Sequence, residues 1–378
     1  MSLTELVSKA FNISSFTTVG HLLHVNLKDH LLPHKHEIGQ ALLAKNNRAL
    51  AVVNKVNTID NEYRNFEIEI IARREGCQLT DEELMICEVN ENKCRFKLDF
   101  SKVYWNSRLS TEHERILAKF NKGIDVVFDL FAGVGPFSVP AAKAKCITYA
   151  NDLNPESVKW LKINMQRNKV QPELYKIHNM DAKDFILKQM KESLFEEYKR
   201  VVDEELATKP KIHILMNLPA LAPTFLPTFV GLFNNIDDEC LLDREMFNVL
   251  GLEHIAYCYC FLKGSYEDPK AQVKIMIEEN LGRKLTHHQL IDISRIRNVA
   301  PSKEMYRAEI RLDEDILFDT KVPVSIMRNT HITSSNGTPK RVSIDESIKK
   351  RSRDDSPDNS INETNSKRFK VSEYCSIM

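Results

Sequence analysis

The chain has 378 residues, with 53 lysines and arginines against 53 aspartates and glutamates, so its formal net charge is zero. That balance gives no sign of a polyanionic partner, although the clustering of charges matters more than their sum. The length allows two domains and a tail, and no apolar run approaches the length of a membrane span.

Residues 1–105 alternate short strands and helices without a glycine-rich turn of their own. Two segments, Phe66 to Ala72 and Cys94 to Phe100, alternate apolar and polar side chains as half-buried strands do. We therefore predict a smaller α+β accessory domain over residues 1–105.

A strand-to-helix turn at Asp129–Phe137 is the most informative motif of the chain. It follows a β-branched run and precedes a helical run from Ser138 to Lys145. Two glycines in the turn, Gly133 and Gly135, allow the backbone to approach a ligand closely, as in nucleotide-binding folds. A tight turn that binds nothing is the alternative, because short glycine motifs have many false matches.

The turn departs from the dinucleotide fingerprint at two positions. Ser138 replaces the third glycine, and Pro136 lacks the N–H donor that would hold a pyrophosphate. These changes favour an adenosine ligand without phosphates, such as S-adenosylmethionine, over the NAD of an oxidoreductase.

Two further strands end next to acidic side chains. A second strand, Cys146 to Ala150, is followed by Asp152, roughly 20 residues beyond the glycines, where related folds hold a ribose diol. A third strand, Leu174 to Ile177, is followed by Asp181, which could accept a hydrogen bond from the adenine amino group. The alternative is that these residues, with Asn154, only cap the helices that follow.

The fourth strand, Ile212 to Met216, ends in Asn217, Leu218, Pro219 and Ala220. A short polar side chain held by proline at this strand end would face the methyl donor across the crevice. Its amide could hydrogen-bond a planar nitrogen substrate. A proline-ended loop is the alternative, but the place of this motif in a series of four strand ends favours a functional role.

Residues 106–325 keep this alternation of strands and helices, which predicts a mostly parallel sheet. A fifth strand, His254 to Leu262, and a closing hairpin, Leu290 to Val299 with Met305 to Leu312, complete the pattern. The predicted fold class is α/β: a Rossmann-like domain over residues 106–325, preceded by the smaller α+β domain.

Basic residues cluster near the end of this domain and could neutralise RNA phosphates, with an ordinary solvated face as the equal alternative. The cluster consists of Arg283, Lys284, Arg295, Arg297, Lys303, Arg307 and Arg311, with His287 and His288.

The last part of the chain, residues 326–378, is polar with few large apolar side chains and predicts a disordered tail. Lys349–Arg353 and Lys367–Lys370 in this tail resemble a bipartite nuclear import signal, and basic clusters of this kind are common in polar tails.

The first twenty residues contain no arginine, which argues against a mitochondrial transit peptide. We expect a cytoplasmic and nuclear protein.

The eight cysteines are scattered and form no Cys-x-x-Cys pair, so we predict neither a zinc site nor a redox dithiol. Free thiols fit a reducing compartment.

Taken together, the motifs resemble those of the eukaryotic and archaeal tRNA (guanine-37-N1)-methyltransferases. The resemblance covers about residues 15 to 315, with several independent motifs in the right order. The motifs that carry it are Val19–Leu27, Leu31–Pro33, Val52–Val56, Ile59–Arg64, Phe66–Glu67, Lys102–Leu109, Thr111–Arg115, Asp129–Phe137 and Asn217–Ala220.

The resemblance implies a class I methyltransferase domain with S-adenosylmethionine as cofactor. Its partner would be tRNA, through guanine 37 of the anticodon loop, and residues 1–105 would form a tRNA-binding or accessory domain. We expect no membrane partner and a monomeric protein. A mitochondrial matrix location is also implied. With the strand-end pattern, the predicted cofactor-binding residues are His113, Asp129, Gly133, Gly135, Asp152, Leu153, Asp181, Ala182 and Asn217.

The implied catalytic residues are Arg108, Asn217 and Pro219. Asn217 is expected to orient the guanine edge, and Arg108 to stabilise charge that develops on O6 as N1 loses its proton. The general base stays open: Glu112 and Glu114 are near in sequence, and helical spacing lets at most one of them face the site.

Two alternatives remain. A wybutosine-pathway aminocarboxypropyl transferase has the same scaffold, but its fourth-strand motif differs from Asn217–Ala220. A non-catalytic RNA-binding module would not need the whole set of acids at the strand ends.

Family members usually carry a further small N-terminal domain that contacts the outer corner of tRNA, and this chain begins near the start of the second domain. We therefore expect the chemistry to be retained and tRNA discrimination to be affected.

Overall fold

The computed structural model describes residues 16–56, 67–204, 206, 208–234 and 244–319, and its N-terminal part contains two small sheets. The first sheet has four strands in chain order: β1 (Thr17–Val19), β2 (Leu22–Val25), β3 (Ala51–Val56) and β4 (Glu67–Arg73). Helix α1 (Lys35–Lys45) crosses from β2 to β3, which makes these two strands parallel. After a short helix, α2 (Asp81–Met85), the second sheet is the antiparallel hairpin of β5 (Ile86–Glu91) and β6 (Cys94–Asp99).

A seven-stranded sheet forms the centre of the C-terminal part. Its strands are β7 (Val126–Asp129), β8 (Ile147–Asn151), β9 (Tyr175–His178), β10 (Ile212–Met216), β11 (His254–Lys263), β12 (Leu290–Ala300) and β13 (Lys303–Arg311). They lie in the order β12-β13-β11-β10-β7-β8-β9, and all are parallel except β13, which is antiparallel to both neighbours. The strand order reverses between β7 and β10, the point at which open α/β sheets bind ligands. The predicted fold class is confirmed.

Helices cover both faces of the sheet, so β7 and β10 are buried along their whole lengths. These helices are α3 (Ser110–Leu117), α4 (Ser138–Lys143), α5 (Pro155–Arg167), α6 (Ala182–Asp184), α7 (Lys191–Asp203), α8 (Arg244–Leu250), α9 (Pro269–Leu281) and α10 (Glu314–Leu317). A π-type turn, Phe185–Met190, joins α6 to α7. Side chains alternate between faces, so Phe128 packs with α7 and α9, whereas Val127 packs with α3. None of the helices in the described ranges is long and apolar enough to cross a bilayer.

Several predicted segments fall close to the observed elements. The fourth strand occupies the predicted residues, Ile212–Met216, and the second and third strands are displaced by one residue, to Ile147–Asn151 and Tyr175–His178. The predicted tail, residues 326–378, lies outside the described residues with its two basic segments, and so does the motif Ile59–Arg64. The proposed domain division near residue 105 stays a prediction.

The β5–β6 hairpin and helix α5 are joined by a ladder of side-chain amides. Asn168 accepts a hydrogen bond from the Arg95 N–H (2.9 Å) and donates to its carbonyl (2.8 Å). One turn earlier, Asn164 does the same with Lys97, at 2.8 and 3.1 Å. Asn164 also donates to the carbonyl of Val134 in the glycine turn (3.1 Å). These two amides act as a neighbouring strand would, and they satisfy the open edge of β6.

The predicted basic cluster does not form one exposed surface. Arg307 is 1% exposed and pairs with Glu112 and Glu309, and Lys303 is 6% exposed. Four further members each pair with an acid that is remote in sequence or on a neighbouring turn: Arg283 with Asp319, Lys284 with Glu278, Arg295 with Glu304 and Arg311 with Glu253.

We predict that Asn164→Ala lowers the free energy of unfolding by about 1–3 kcal/mol, because it leaves the amide of Lys97 and the buried carbonyl of Val134 without these partners. The measurement is urea denaturation followed by circular dichroism. Gln166→Ala, at an exposed position of the same helix, is the matched control and should change the free energy by less than about 0.5 kcal/mol. Equal losses in the two variants would contradict the ladder.

Candidate functional site

The candidate site lies where the carboxyl ends of β7, β8, β9 and β10 meet. These strands are adjacent and parallel, so the loops that follow them share one edge of the sheet. The predicted residues at this edge are Asp129 on β7, Asp152 after β8, Asp181 after β9 and Asn217 after β10. The structure thus brings together the four strand ends that the sequence pattern singled out.

The two glycines of the turn after β7 serve different purposes. Both have positive φ, +54° for Gly133 and +97° for Gly135, which a residue with a Cβ adopts only under strain. A Cβ on Gly135 would lie 2.5 Å from Leu161 and 2.6 Å from Val139, so this glycine permits close packing of the turn on α4 and α5. A Cβ on Gly133 would meet no atom within 4 Å. Gly133 is therefore the position at which a ligand could approach the backbone.

Asp152 holds the glycine turn in place. One carboxylate oxygen accepts a hydrogen bond from the Gly133 N–H (2.7 Å) and the other from the Asn154 N–H (2.9 Å). Burial raises the pKa of Asp152 to about 6, against the effect of these hydrogen bonds. The Ser157 side chain also hydrogen-bonds this carboxylate. Because a carboxylate has about four lone-pair sites, the same side chain could still accept a ribose hydroxyl.

Asp129 lies beneath the turn rather than at its surface. It is completely buried, and its Oδ2 accepts a hydrogen bond from the Ser138 hydroxyl (2.6 Å). Its Oδ1 has no hydrogen-bond partner in the described part of the chain. Burial raises the pKa of Asp129 to about 7, and the nearby carboxylate of Asp152 contributes. Ser138, the residue that breaks the dinucleotide fingerprint, therefore has a structural reason to be a serine.

The loop after β9 contributes polar groups at the surface. Asp181 is exposed and caps α6 by accepting from the Lys183 N–H (2.8 Å), while Ala182 behind it is buried. The Asn179 amide donates to the carbonyls of Asp152 (2.8 Å) and Leu153 (2.9 Å), and Leu153 itself is 38% exposed. The capping alternative for Asp181 is thus realised, and a second carboxylate oxygen remains available to a ligand.

Asn151 is a residue that the sequence analysis missed. Its side chain is fully buried at the end of β8 and donates to the carbonyls of Leu130 (3.3 Å) and Met180 (3.0 Å). It also accepts from the Met180 N–H (3.2 Å). A polar residue at the last position of an apolar strand was the available signal, since a buried amide needs hydrogen-bond partners.

His113, on α3, approaches the turn from another side. Its Nδ1 lies 2.5 Å from Glu91 Oε1 of the β5–β6 hairpin, and both side chains are almost completely buried. The ring packs edge-on against Phe137, with centroids 4.6 Å apart. Its Nε2 is buried without a hydrogen-bond partner in the described residues.

The predicted catalytic residues lie on two loops. Asn217 is half-buried, and its Oδ1 is buried without a partner among the described residues. The Pro219 carbonyl accepts from the Phe261 N–H of β11 (3.2 Å), which ties this loop to the sheet. Arg108 is exposed in a turn that Asn106 caps by accepting from the Arg108 N–H (3.1 Å).

The structure also bears on the two candidate bases. Glu112 is buried and binds Arg307, Arg115 (2.6 Å) and the Tyr259 hydroxyl (2.9 Å). A proton acceptor at Glu112 would first have to lose some of these contacts. Glu114 is exposed. The general base therefore stays open.

These features fit an adenosine ligand with a polar amino-acid end. Asp152 and Asp181 offer carboxylate oxygens, Gly133 leaves the backbone accessible, and His113 and Asn217 each present a buried polar atom without a partner. Unpartnered buried polar atoms also occur elsewhere among the described residues, so these two count because of their place beside the glycine turn and at the end of β10, where a ligand could satisfy them. No three His, Cys, Asp or Glu side chains of the described ranges come together in a way that would hold a metal ion.

Comparison with known families and proteins agrees with this geometry. Residues 87–235 match the TRM5/TYW2 methyltransferase domain, and residues 5–76 match the TYW2 N-terminal domain. The tRNA (guanine(37)-N(1))-methyltransferases of Drosophila melanogaster, Xenopus tropicalis and Homo sapiens are 44, 46 and 42% identical over 309, 316 and 305 residues. The alignments cover 82, 82 and 81% of the chain but only 63, 58 and 54% of these relatives. The chain therefore spans less than two thirds of their length.

Solved structures with a similar fold include Trm5b from Pyrococcus abyssi, at 26% identity and a TM-score of 0.56, with 81% of this chain and 77% of that chain covered. The complex of aTrm5 with tRNALeu has a TM-score of 0.55 at 22% identity and covers 82% of this chain and 78% of that one. At that identity the likeness concerns the fold alone.

We predict that one glycine substitution mainly weakens ligand binding and that the other mainly lowers stability. Gly133→Ala should weaken binding of S-adenosylmethionine at least tenfold in calorimetry, because the added methyl group enters the space beside the turn, and should cost only about 1 kcal/mol of stability from backbone strain. Gly135→Ala should lower the free energy of unfolding by about 1–3 kcal/mol or more, because its methyl group collides with Leu161 and Val139. Comparable binding losses and stability losses in both variants would contradict the assignment.

We also predict that affinity for S-adenosylmethionine falls as the pH is lowered through about 6. Asp152 is ionised above its raised pKa and accepts hydroxyl hydrogen bonds, whereas the protonated acid below that pH does so poorly. Calorimetry between pH 5 and 8 would measure the slope. Asp152→Asn should bind weakly with a flat profile, and Asp184→Asn, an exposed acid that pairs with Lys188, should keep the original profile. A slope that persists in Asp152→Asn would assign the titration to another group.

Proposed function

We propose that the chain, whose residues 87–235 match the TRM5/TYW2 methyltransferase domain, transfers a methyl group from S-adenosylmethionine to N1 of guanine 37 in tRNA. The observation that carries the proposal is the unpartnered side-chain oxygen of Asn217 at the switch point, on the same sheet edge as the open side of Gly133. The relatives that share this domain are named tRNA (guanine(37)-N(1))-methyltransferases, which supports the choice of substrate.

S-adenosylmethionine would supply a methyl group on a positively charged sulfur, which is electrophilic without help from the protein. In the proposal, Asp152 accepts the ribose hydroxyls and Asp181 accepts the adenine amino group. The ligand would lie against the backbone of Gly133, Leu153 and Ala182. On the other side of the turn, Gly135 packs closely against helices and Asp129 binds Ser138. The protein contributes mainly orientation and exclusion of water.

Guanine N1 carries a proton and is a weak nucleophile until that proton is removed. Asn217 could accept a hydrogen bond from the guanine edge and hold it toward the methyl donor, with Pro219 fixing the loop. Arg108 would stabilise the negative charge that grows on O6. The base must leave its stack to enter such a site, and the free-energy cost of unstacking is small for a nucleotide in the anticodon loop.

Cations near Arg108 support an RNA partner despite the zero net charge. Lys55 lies 6.0 Å from the Tyr104 ring centre, and burial lowers its pKa to about 8. Burial, followed by repulsion from Arg108, lowers the pKa of Arg297. Lys55 and Arg297 thus add positive charge beside the proposed catalytic arginine, where phosphates would be held.

The rival function is transfer of an aminocarboxypropyl group from the same cofactor. The match of residues 5–76 to the TYW2 N-terminal domain keeps this rival in the test, whereas the names of the relatives at 42–46% identity favour methyl transfer. We further propose a monomer that acts in the cytoplasm and nucleus; this location depends on the basic segments of residues 349–370.

The test uses tRNA transcripts with guanine or adenine at position 37 and two forms of the cofactor, labelled in the methyl group or in the carboxyl group. We expect methyl label in the guanine transcript only, at N1, and no carboxyl label in either transcript. Asn217→Ala is expected to bind the cofactor but to transfer about a hundredfold more slowly. Carboxyl label in the RNA would establish the rival transfer, and no label with any transcript would refute the proposal.

A further inference from the structure

Glu91 lies on the β5–β6 hairpin, outside the seven-stranded sheet that holds the strand-end residues, yet its side chain reaches helix α3. It is the last residue of β5, and its carboxylate is only 7% exposed. A buried carboxylate requires a hydrogen-bond donor. The donor is Nδ1 of His113, 2.5 Å away.

This contact determines which nitrogen of the His113 ring carries a proton. A carboxylate accepts hydrogen bonds and donates none, so the shared proton belongs to Nδ1. In the neutral ring Nε2 then carries a lone pair and acts as an acceptor. Nε2 is also the ring atom that is buried without a partner, so the ring is held with its accepting atom directed away from Glu91.

The position of His113 identifies the part of the ligand that it would meet. Asp152 follows β8, on one side of β7, and is proposed to hold the ribose. Helix α3 packs in a cluster with Leu215 and Tyr259 of β10 and β11, on the other side of β7. His113 contacts Phe137 of the glycine turn from that side. The ligand end farthest from the ribose would therefore approach Nε2.

The Glu91 anchor is itself held rigidly. Asn164 and Asn168 of α5 pair with the backbone of β6, the partner strand of β5. At the hairpin turn, Lys143 of α4 donates to the carbonyl of Lys93 (2.7 Å). The backbone that carries Glu91 is therefore fixed relative to α4 and α5.

We propose that Glu91 is a positioning residue that holds His113 so that Nε2 accepts a hydrogen bond from the ammonium group of S-adenosylmethionine. This inference rests on the proposed function for its ligand. The ammonium group is the hydrogen-bond donor at the amino-acid end of the ligand, so it is the group that an accepting Nε2 would bind. The β5–β6 hairpin thereby becomes part of the cofactor site.

The test measures the affinity of the full chain for three ligands by calorimetry: S-adenosylmethionine, its decarboxylated form, which keeps the amine, and methylthioadenosine, which lacks the amino-acid end. Glu91→Ala should weaken binding of the first two ligands about tenfold to a hundredfold and leave methylthioadenosine within about twofold. His113→Ala should give the same pattern, and the double variant should lose little more than either single variant, because the two residues act as a unit.

Two further variants keep the test decisive. Glu91→Gln preserves the shape of the side chain and removes its charge, so it should show the same selective loss, at least threefold, even if Glu91→Ala folds poorly. Glu88→Gln, on the same strand in an exposed ion pair with Arg167 (2.8 Å), should bind all three ligands as the unaltered protein does.

Three outcomes would overturn the inference: unchanged binding of S-adenosylmethionine in Glu91→Ala and Glu91→Gln, an equal loss for methylthioadenosine, or a loss for S-adenosylmethionine that spares its decarboxylated form. The last result would assign Nε2 to the carboxylate instead of the ammonium group. Failure of the proposed function looks different: the unaltered protein would bind none of the three ligands, or it would bind them and leave tRNA unmethylated.

Discussion

The site depends on hydrogen bonds made by two consecutive side chains, Asn151 and Asp152, at the end of β8. Asn151 links the chain after β7 to the loop after β9, and Asp152 holds the amides of Gly133 and Asn154. Without them, the loops that follow three adjacent strands would have backbone groups that neither sheet nor helix satisfies. Because these bonds exist within the protein itself, the edge that faces the ligand is organised before any ligand binds, which lowers the entropic cost of binding.

The N-terminal hairpin is part of the same unit. Phe96 and Leu98 of β6 share a hydrophobic cluster with Val134 of the glycine turn and Trp160 of α5. The amide ladder from Asn164 and Asn168 adds directional contacts to this packing. A change in the hairpin is therefore transmitted to the glycine turn through residues that touch both, and the hairpin is better regarded as one wall of the site than as a separate module.

The sequence alone located the four strands that carry the site, because apolar runs that end in short polar residues are a local pattern. It also placed Gly133, Asp152 and Asn217 on one edge, since parallel strands share their carboxyl ends. It did not predict that Asp129 would face Ser138 beneath the turn, because both buried and exposed acids occur after such strands.

Contacts between residues remote in sequence could not be predicted in this way. Glu112 and Arg307 are 195 residues apart in the chain and form a buried ion pair, so their sequence neighbours alone made Glu112 a candidate general base and Arg307 a member of an RNA-binding surface. Glu91 of β5 and His113 of α3 also meet through the fold rather than through a local pattern. Neither pair has a periodicity or motif that would reveal it.

The distribution of charge explains how a chain with no net charge could still bind a polyanion. Most cations of the predicted basic cluster are neutralised by acids within the fold, so they add little to the field outside it. Around Tyr104, by contrast, several cationic side chains lie close to one another. Burial, then Lys55 and Arg108, lower the pKa of His24 to about 3, and Arg108 also contributes to the lowered pKa of Arg297. Such mutual repulsion costs free energy in the isolated protein, and a phosphate group near these side chains would relieve it. The local concentration of cations, rather than the total charge of the chain, is therefore the feature that would attract RNA.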